Sequence, residues 1–191
     1  IVTSIVLFSL MAYYTYTYYS EKYIQNASLS YYKILADKDY TLEQRMQAYQ
    51  SISKDYSTTI YAQLSQIKLA KIAVDDKDYD KAIKYYQEAL STCRVKELKN
   101  LISTRLAKVY ILNKQPELAQ QILTTINDSK YLAVKNIIMT DALIAQNRTA
   151  DAKKLAQETI ANIAEANNNE DKHTLEILNQ KIKTIEKDDK K

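Results

Sequence analysis

From Tyr23 almost to the C-terminus, apolar residues return every three or four positions, the spacing that gives an α-helix one apolar face. Strand-like alternation is absent. The spacing predicts nine helices, over 23–37, 41–53, 59–75, 78–92, 96–113, 116–127, 131–147, 149–166 and 171–187, with short joints between them. The joints "DKD" (37–39), "DDKD" (75–78), "NKQP" (113–116) and "QNR" (146–148) carry Asn or Asp, which cap helix ends and tolerate left-handed backbone. Pro116 suits the first turn of a helix, where a missing N–H costs nothing.

Short helices with tight joints pack as antiparallel hairpins, and the hairpins here repeat. In "KLAKIAVDDKDYDKAIKYYQEAL" and "RLAKVYILNKQPELAQQILTTI", Leu69-Ala70 aligns with Leu106-Ala107, Ala73 with Tyr110, Ala82 with Ala119 and Tyr86 with Leu123, at a constant offset of 37. A weaker copy puts Thr140, Leu143, Ala152 and Ala156 in the same slots at an offset of 33, and a degenerate first copy has Leu35-Ala36, Ala48 and Ile52. This matches the tetratricopeptide pattern: a leucine and a small residue in the first helix, then an alanine followed four positions later by a large residue. The small residues let paired helices approach closely, and Tyr86 and Leu123 fill the space between hairpins. Gln66, Ser103 and Asn136 stand where the pattern has tryptophan, and Ala156 where it has a large residue.

Composition agrees with an all-α chain. The 191 residues include no glycine and one proline, which removes the usual material for strand bulges and phosphate-cradling loops. The 27 basic and 23 acidic residues are mixed along the chain, with no basic block of the kind that tracks nucleic acid. Cys93 has no cysteine to pair with and reads as a small apolar filler at a helix end; His173 reads as a surface residue. "DDKDYD" (75–80) lacks the central glycine and terminal glutamate of a calcium loop and reads as a solvated joint. No nucleophile–base set, paired-carboxylate cleft, CxxC or phosphate loop is recognisable, so the expectation is a protein that is not an enzyme, with neither cofactor nor metal.

The start, "IVTSIVLFSLMAYYTYTYYSEKY", has no charge before Glu21. About 20 uncharged residues are near the length of a membrane-spanning helix. Bulky tyrosines occupy the place where an export signal has its small-residue cleavage site, and Tyr13, Tyr14, Tyr16, Tyr18 and Tyr19 suit a membrane–water interface. The expected layout is therefore a single transmembrane anchor at 1–20, shortened at its start because the chain opens on Ile1, a tetratricopeptide-like solenoid at 21–187, and a disordered tail at 188–191. Packing of the tyrosines on the first hairpin is the alternative, since Ser4, Ser9, Thr15 and Thr17 dilute the apolar run.

The apolar start, the helical domain that follows it, and the run "LISTRLAKVYILNKQPELAQQIL" with Arg105-Leu106-Ala107, Ala119 and Leu123 resemble the YfgM-like family of membrane-anchored tetratricopeptide proteins. The resemblance implies an ancillary subunit of the SecYEG translocon, anchored in the bacterial inner membrane by one span with its repeats in the periplasm. It implies partners as well: SecYEG, a PpiD-like membrane-anchored chaperone and unfolded exported polypeptides. No catalytic residue comes with it. The alternative is a repeat scaffold or co-chaperone of another secretion or envelope-assembly system.

In tetratricopeptide hairpins the first helix lines the concave face. The repeat register then gives a candidate protein-binding groove of Leu64, Ile67, Lys71 and Val74, then Leu101, Thr104, Lys108 and Ile111, then Val134, Ile137, Asp141 and Ile144. A mostly apolar face with isolated charges suits a partner helix or an unfolded segment. The competing expectation is that these residues are core, covered by the last helix through Leu175, Leu178, Ile182 and Ile185.

Overall fold

The computed structural model describes residues 2–165 and 172–188. Those residues form nine α-helices: α1 (Val2–Ala36), α2 (Leu42–Asp55), α3 (Ile60–Asp75), α4 (Tyr79–Thr92), α5 (Lys96–Leu112), α6 (Pro116–Thr124), α7 (Leu132–Ala145), α8 (Thr149–Glu165) and α9 (Lys172–Asp188), with one 3-10 turn at Ser129–Tyr131. Consecutive helices pack against one another along the array, and α5 also packs on α7. The segment 189–191, most of the expected tail, lies outside the described residues; Asp188 is the last residue of α9.

The small residues of the repeat sit where the spacing places them. Ala70, Ala82, Ala107, Ala119, Thr140 and Ala152 are fully buried, and Tyr86 and Leu123 are buried among them. A central core runs from Ile67 on α3 through Ile83, Ile102, Leu106 and Leu123 to Ile138 and Ala142 on α7. Cys93 is a buried free thiol at the end of α4, and His173 is exposed. The turns of the α3–α4, α5–α6 and α7–α8 hairpins share one backbone solution. Lys77, Lys114 and Asn147 have φ of 61°, 59° and 58°, and they stand 37 and 33 positions apart, the offsets of the sequence repeat. In each turn two crossed hydrogen bonds close the first helix: Asp78 N–H to Ala73 O at 2.8 Å with Lys77 N–H to Val74 O at 3.0 Å, Gln115 to Tyr110 at 2.8 Å with Lys114 to Ile111 at 3.0 Å, and Arg148 to Leu143 at 2.9 Å with Asn147 to Ile144 at 2.9 Å. Asp78 also caps α4, its Oδ1 accepting from the Lys81 N–H at 3.1 Å.

Two expectations need correction. The first concerns the start. There is no break between an anchor and the repeats: α1 is one helix of 35 residues, and among the described residues no helix is long and apolar enough to cross a membrane. The apolar stretch from Ile5 to Ala12 runs into five tyrosines, Thr15 and Thr17, which lower the hydropathy of the described part of the helix. What changes along α1 is burial. Up to Lys22 its large side chains are exposed, Phe8 at 75% and Tyr16 at 74%. At Tyr23 the helix docks: the Tyr23 hydroxyl donates to Asp55 O at 3.0 Å and its ring lies 5.1 Å from that of Tyr56.

The second correction is the register of the first hairpin. Leu35 and Ala36 are exposed, and Tyr31 and Ile34 take the inward positions, packing with Tyr49, Ile52 and Leu69. Tyrosine at an inward position is too large for close helix approach, and the first hairpin is instead filled by rings: Tyr31 lies 6.0 Å from Tyr49 and 5.8 Å from Tyr61.

The polar residues in the tryptophan slot are held differently in each copy. Asn136 Nδ2 donates to Thr159 Oγ1 at 2.9 Å, and Ser103 is buried. Gln66 donates to Glu88 Oε2 at 3.5 Å, and its Oε1 has no partner among the described residues. Gln66 forms part of the wall of a pocket of about 420 Å³ shared by α2 and α4.

Candidate functional site: a basic and apolar concave wall

The concave wall is built from the C-terminal turns of α3, α5 and α7. Its first pocket, about 330 Å³, is lined by Lys71, Val74, Tyr86, Arg105, Lys108, Val109 and Leu112. A second, about 540 Å³, is lined by Lys108, Ile111, Leu112, Asp141, Ile144 and Ala145. The two share Lys108 and Leu112, one turn apart on α5, and so form a single groove with an apolar floor.

The groove's charges are unequal in their freedom. Lys71 Nζ meets Asp75 Oδ2 at 2.6 Å across one exposed turn, a pair worth little in water. Asp141 is held by Lys181 of α9, partly out of solvent. Among the described residues, Arg105 and Lys108 take part in no ion pair. Arg105 lines the first pocket together with Tyr86. Burial raises the Tyr86 pKa above its ordinary value, and the nearby Arg105 charge opposes that rise.

Six of the twelve groove residues expected from the sequence are brought together here: Lys71, Val74, Lys108, Ile111, Asp141 and Ile144. The others have different surroundings. Ile67 and Thr104 are buried, with the Thr104 hydroxyl donating to Leu101 O at 2.8 Å. Leu64 and Leu101 are half-buried against the core, and Val134 is exposed. Ile137 packs with Leu178 and Ile182 of α9. The covering role expected of the last helix is therefore real, and it is confined to the end of the array: α9 buries Leu178 and Ile185 against α7 and α8. The pockets beside α3 and α5 contain no residue of α9.

The sequence reading missed Tyr86, Arg105, Val109, Leu112 and Ala145. One signal was available for Leu112, a large apolar residue that is 50% exposed in the last turn of its helix. At the start of α1, Tyr13, Tyr14, Tyr16, Tyr18 and Tyr19 are all exposed, and they pair as Tyr13–Tyr14 at 6.0 Å and Tyr18–Tyr19 at 5.6 Å between ring centres. The hydroxyls of Ser9, Thr15 and Thr17 bond back to Ile5 O, Met11 O and Tyr13 O at 2.9, 2.8 and 2.9 Å, so their polarity is satisfied within the helix.

Comparison with known proteins agrees with this architecture. A family profile described as tetratricopeptide repeat-like domain matches residues 1–187. A protein of Buchnera aphidicola subsp. Acyrthosiphon pisum (strain APS), named ancillary SecYEG translocon subunit, is 27% identical over 129 residues, 68% of this chain and 64% of its own length. A protein of the same name from Buchnera aphidicola subsp. Schizaphis graminum (strain Sg) is 25% identical over 169 residues, 87% of this chain and 82% of its own. A third, from Escherichia coli (strain K12), is 29% identical over 93 residues, 49% and 45% of the two chains. The chain thus spans less than two thirds of the first and third of these relatives. No solved structure matches it. With the profile covering nearly the whole chain and the hairpin turns repeating at the offsets of the sequence, the chain belongs to the tetratricopeptide repeat-like domain family, and within it to the YfgM-like proteins.

Proposed function

We propose that the chain is a non-enzymatic interaction subunit of a protein-export complex of the SecYEG kind. It works at the inner membrane through the uncharged start of α1, with the repeats on the periplasmic side. The observation that carries the reading is the pairing of two unlike surfaces on one array: an uncharged helical start whose side chains are exposed, and an open concave wall further along. The names of the relatives support the export context. In this reading the tyrosines at 13, 14, 16, 18 and 19 lie at the membrane–water interface, and the satisfied hydroxyls of Ser9, Thr15 and Thr17 lower the cost of leaving water. The concave wall receives newly exported chains or a membrane-anchored chaperone.

Affinity purification of the full chain from gently crosslinked membranes tests the proposal. SecY, SecE and SecG should co-purify, and Leu7→Glu with Phe8→Glu should release the chain from the membrane fraction while leaving its helical circular dichroism unchanged. Reproducible recovery of other envelope-assembly proteins without the translocon would overturn the export reading in favour of a scaffold elsewhere.

A further inference from the structure

The two adjoining pockets share an apolar floor with an unbalanced charge. Val74, Val109, Leu112, Ile111 and Ile144 supply the floor. Of the charged residues lining it, Asp141 is paired with Lys181 and Lys71 makes an exposed one-turn contact with Asp75, whereas among the described residues Arg105 and Lys108 enter no ion pair, so the wall carries a net positive charge. Arg105 and Lys108 are three residues apart on α5, and Leu112 follows four residues after Lys108, so cation, cation and apolar patch succeed one another by one helical turn each. An occupant that complements this wall carries carboxylates at the same one-turn spacing, followed by an apolar anchor. A helix with Glu and Leu three or four residues apart has that pattern; a neutral or basic apolar helix would leave both cations unpaired beside a partly dry floor.

We infer that the groove between α3, α5 and α7 docks an acidic amphipathic segment of a partner protein, with carboxylates on Arg105 and Lys108 and an apolar side chain on Leu112. The inference names the chemistry of the partner for the concave wall; it rests on that wall being a working surface and is independent of the translocon assignment. A basic or uncharged client, and a second copy of this chain, are the competing occupants.

The probe is a fluorescein-labelled peptide of about 18 residues, long enough to form helical turns, with Leu at three- and four-residue spacing and Glu one turn before each Leu. Its controls are the same peptide with Gln for Glu and with Lys for Glu. Anisotropy titration should show the Glu peptide binding roughly tenfold tighter than the Gln peptide, with the advantage shrinking as salt is raised. Arg105→Gln with Lys108→Gln should erase the difference between the two peptides, while Lys84→Gln with Lys99→Gln, exposed and outside the pockets, should leave it intact. Leu112→Ser should weaken both peptides and preserve their ratio.

Equal affinity for the Glu and Gln peptides, preference for the Lys peptide, or no effect of the paired Gln substitutions would each overturn the inference. So would sedimentation showing a dimer that the Arg105→Gln and Lys108→Gln pair dissociates, since the occupant would then be a second copy. Translocon co-purification is read in parallel. Its absence with acid preference intact sinks the export reading alone; its presence without acid preference sinks this inference alone.

Discussion

Lys77, Lys114 and Asn147 hold left-handed backbone at the three turns, in a chain with no glycine to take those positions. An L-residue there carries a steric cost of about 1 kcal/mol that glycine avoids. Lys77→Gly and Lys114→Gly are therefore each expected to stabilise the protein by about 1 kcal/mol, read as a higher urea midpoint with unchanged slope. A lower midpoint would mean that the lysine side chains hold these turns through contacts of their own. The joints themselves were legible, because "DDKD", "NKQP" and "QNR" interrupt the helical period. The residue that takes positive φ was legible at Asn147, the asparagine of "QNR", but not at the other two turns, because it is fixed by counting back to the last turn of the preceding helix, and lysine gives no hint of it. The same limit applies to the site. A helical period says which face of α3, α5 or α7 points inward, but not which half of that face is roofed. Ile67 and Thr104 fall in the covered half, and Lys108 and Leu112 in the open one.

Helix α9 closes the array. Its Leu178 is fully buried against α7 and α8, and Ile185 packs with Leu143 and Ala152. Truncating Leu178→Ala removes buried methyl groups and leaves a cavity, a change that costs about 2–5 kcal/mol at such a site. Because each hairpin rests mainly on its neighbours, the damage should stay local. Amide exchange is expected to quicken in α7, α8 and α9 and to remain unchanged in α3 and α4; uniform quickening would show that the array unfolds as one cooperative unit. The apolar spacing of Leu175, Leu178, Ile182 and Ile185 disclosed this cap in advance, since a last repeat must bury its exposed face. The continuity of α1 was hidden for the opposite reason. Helical backbone needs no change of composition where its surroundings change, and the transition at Tyr23 is one of burial alone.

Across the whole molecule, tyrosines tie stability to alkaline pH. Tyr31 is pushed from its ordinary value of 10.0 up to about 12, first by burial and then by the neighbouring Tyr49 and Tyr32. Tyr49 and Tyr86 are also raised, burial again the leading cause. Folding keeps these phenols neutral, so their contribution is fully present below pH ~10 and is lost as pH climbs toward the folded-state value. The urea midpoint should be level from pH 8 to about 9.5 and fall steeply toward pH 12. Tyr31→Phe should flatten the fall, and an unchanged slope would exclude Tyr31 as its source. One further property follows from the unbroken first helix. At about 1.5 Å per residue it is a rod roughly 50 Å long, and no joint separates its free portion from the part clamped by Tyr23, Tyr31 and Ile34. A repeat domain on a loose tether would sample every bearing within reach. This one is a signpost on its post: whatever grips the first turns of α1 also sets the direction in which the concave wall faces.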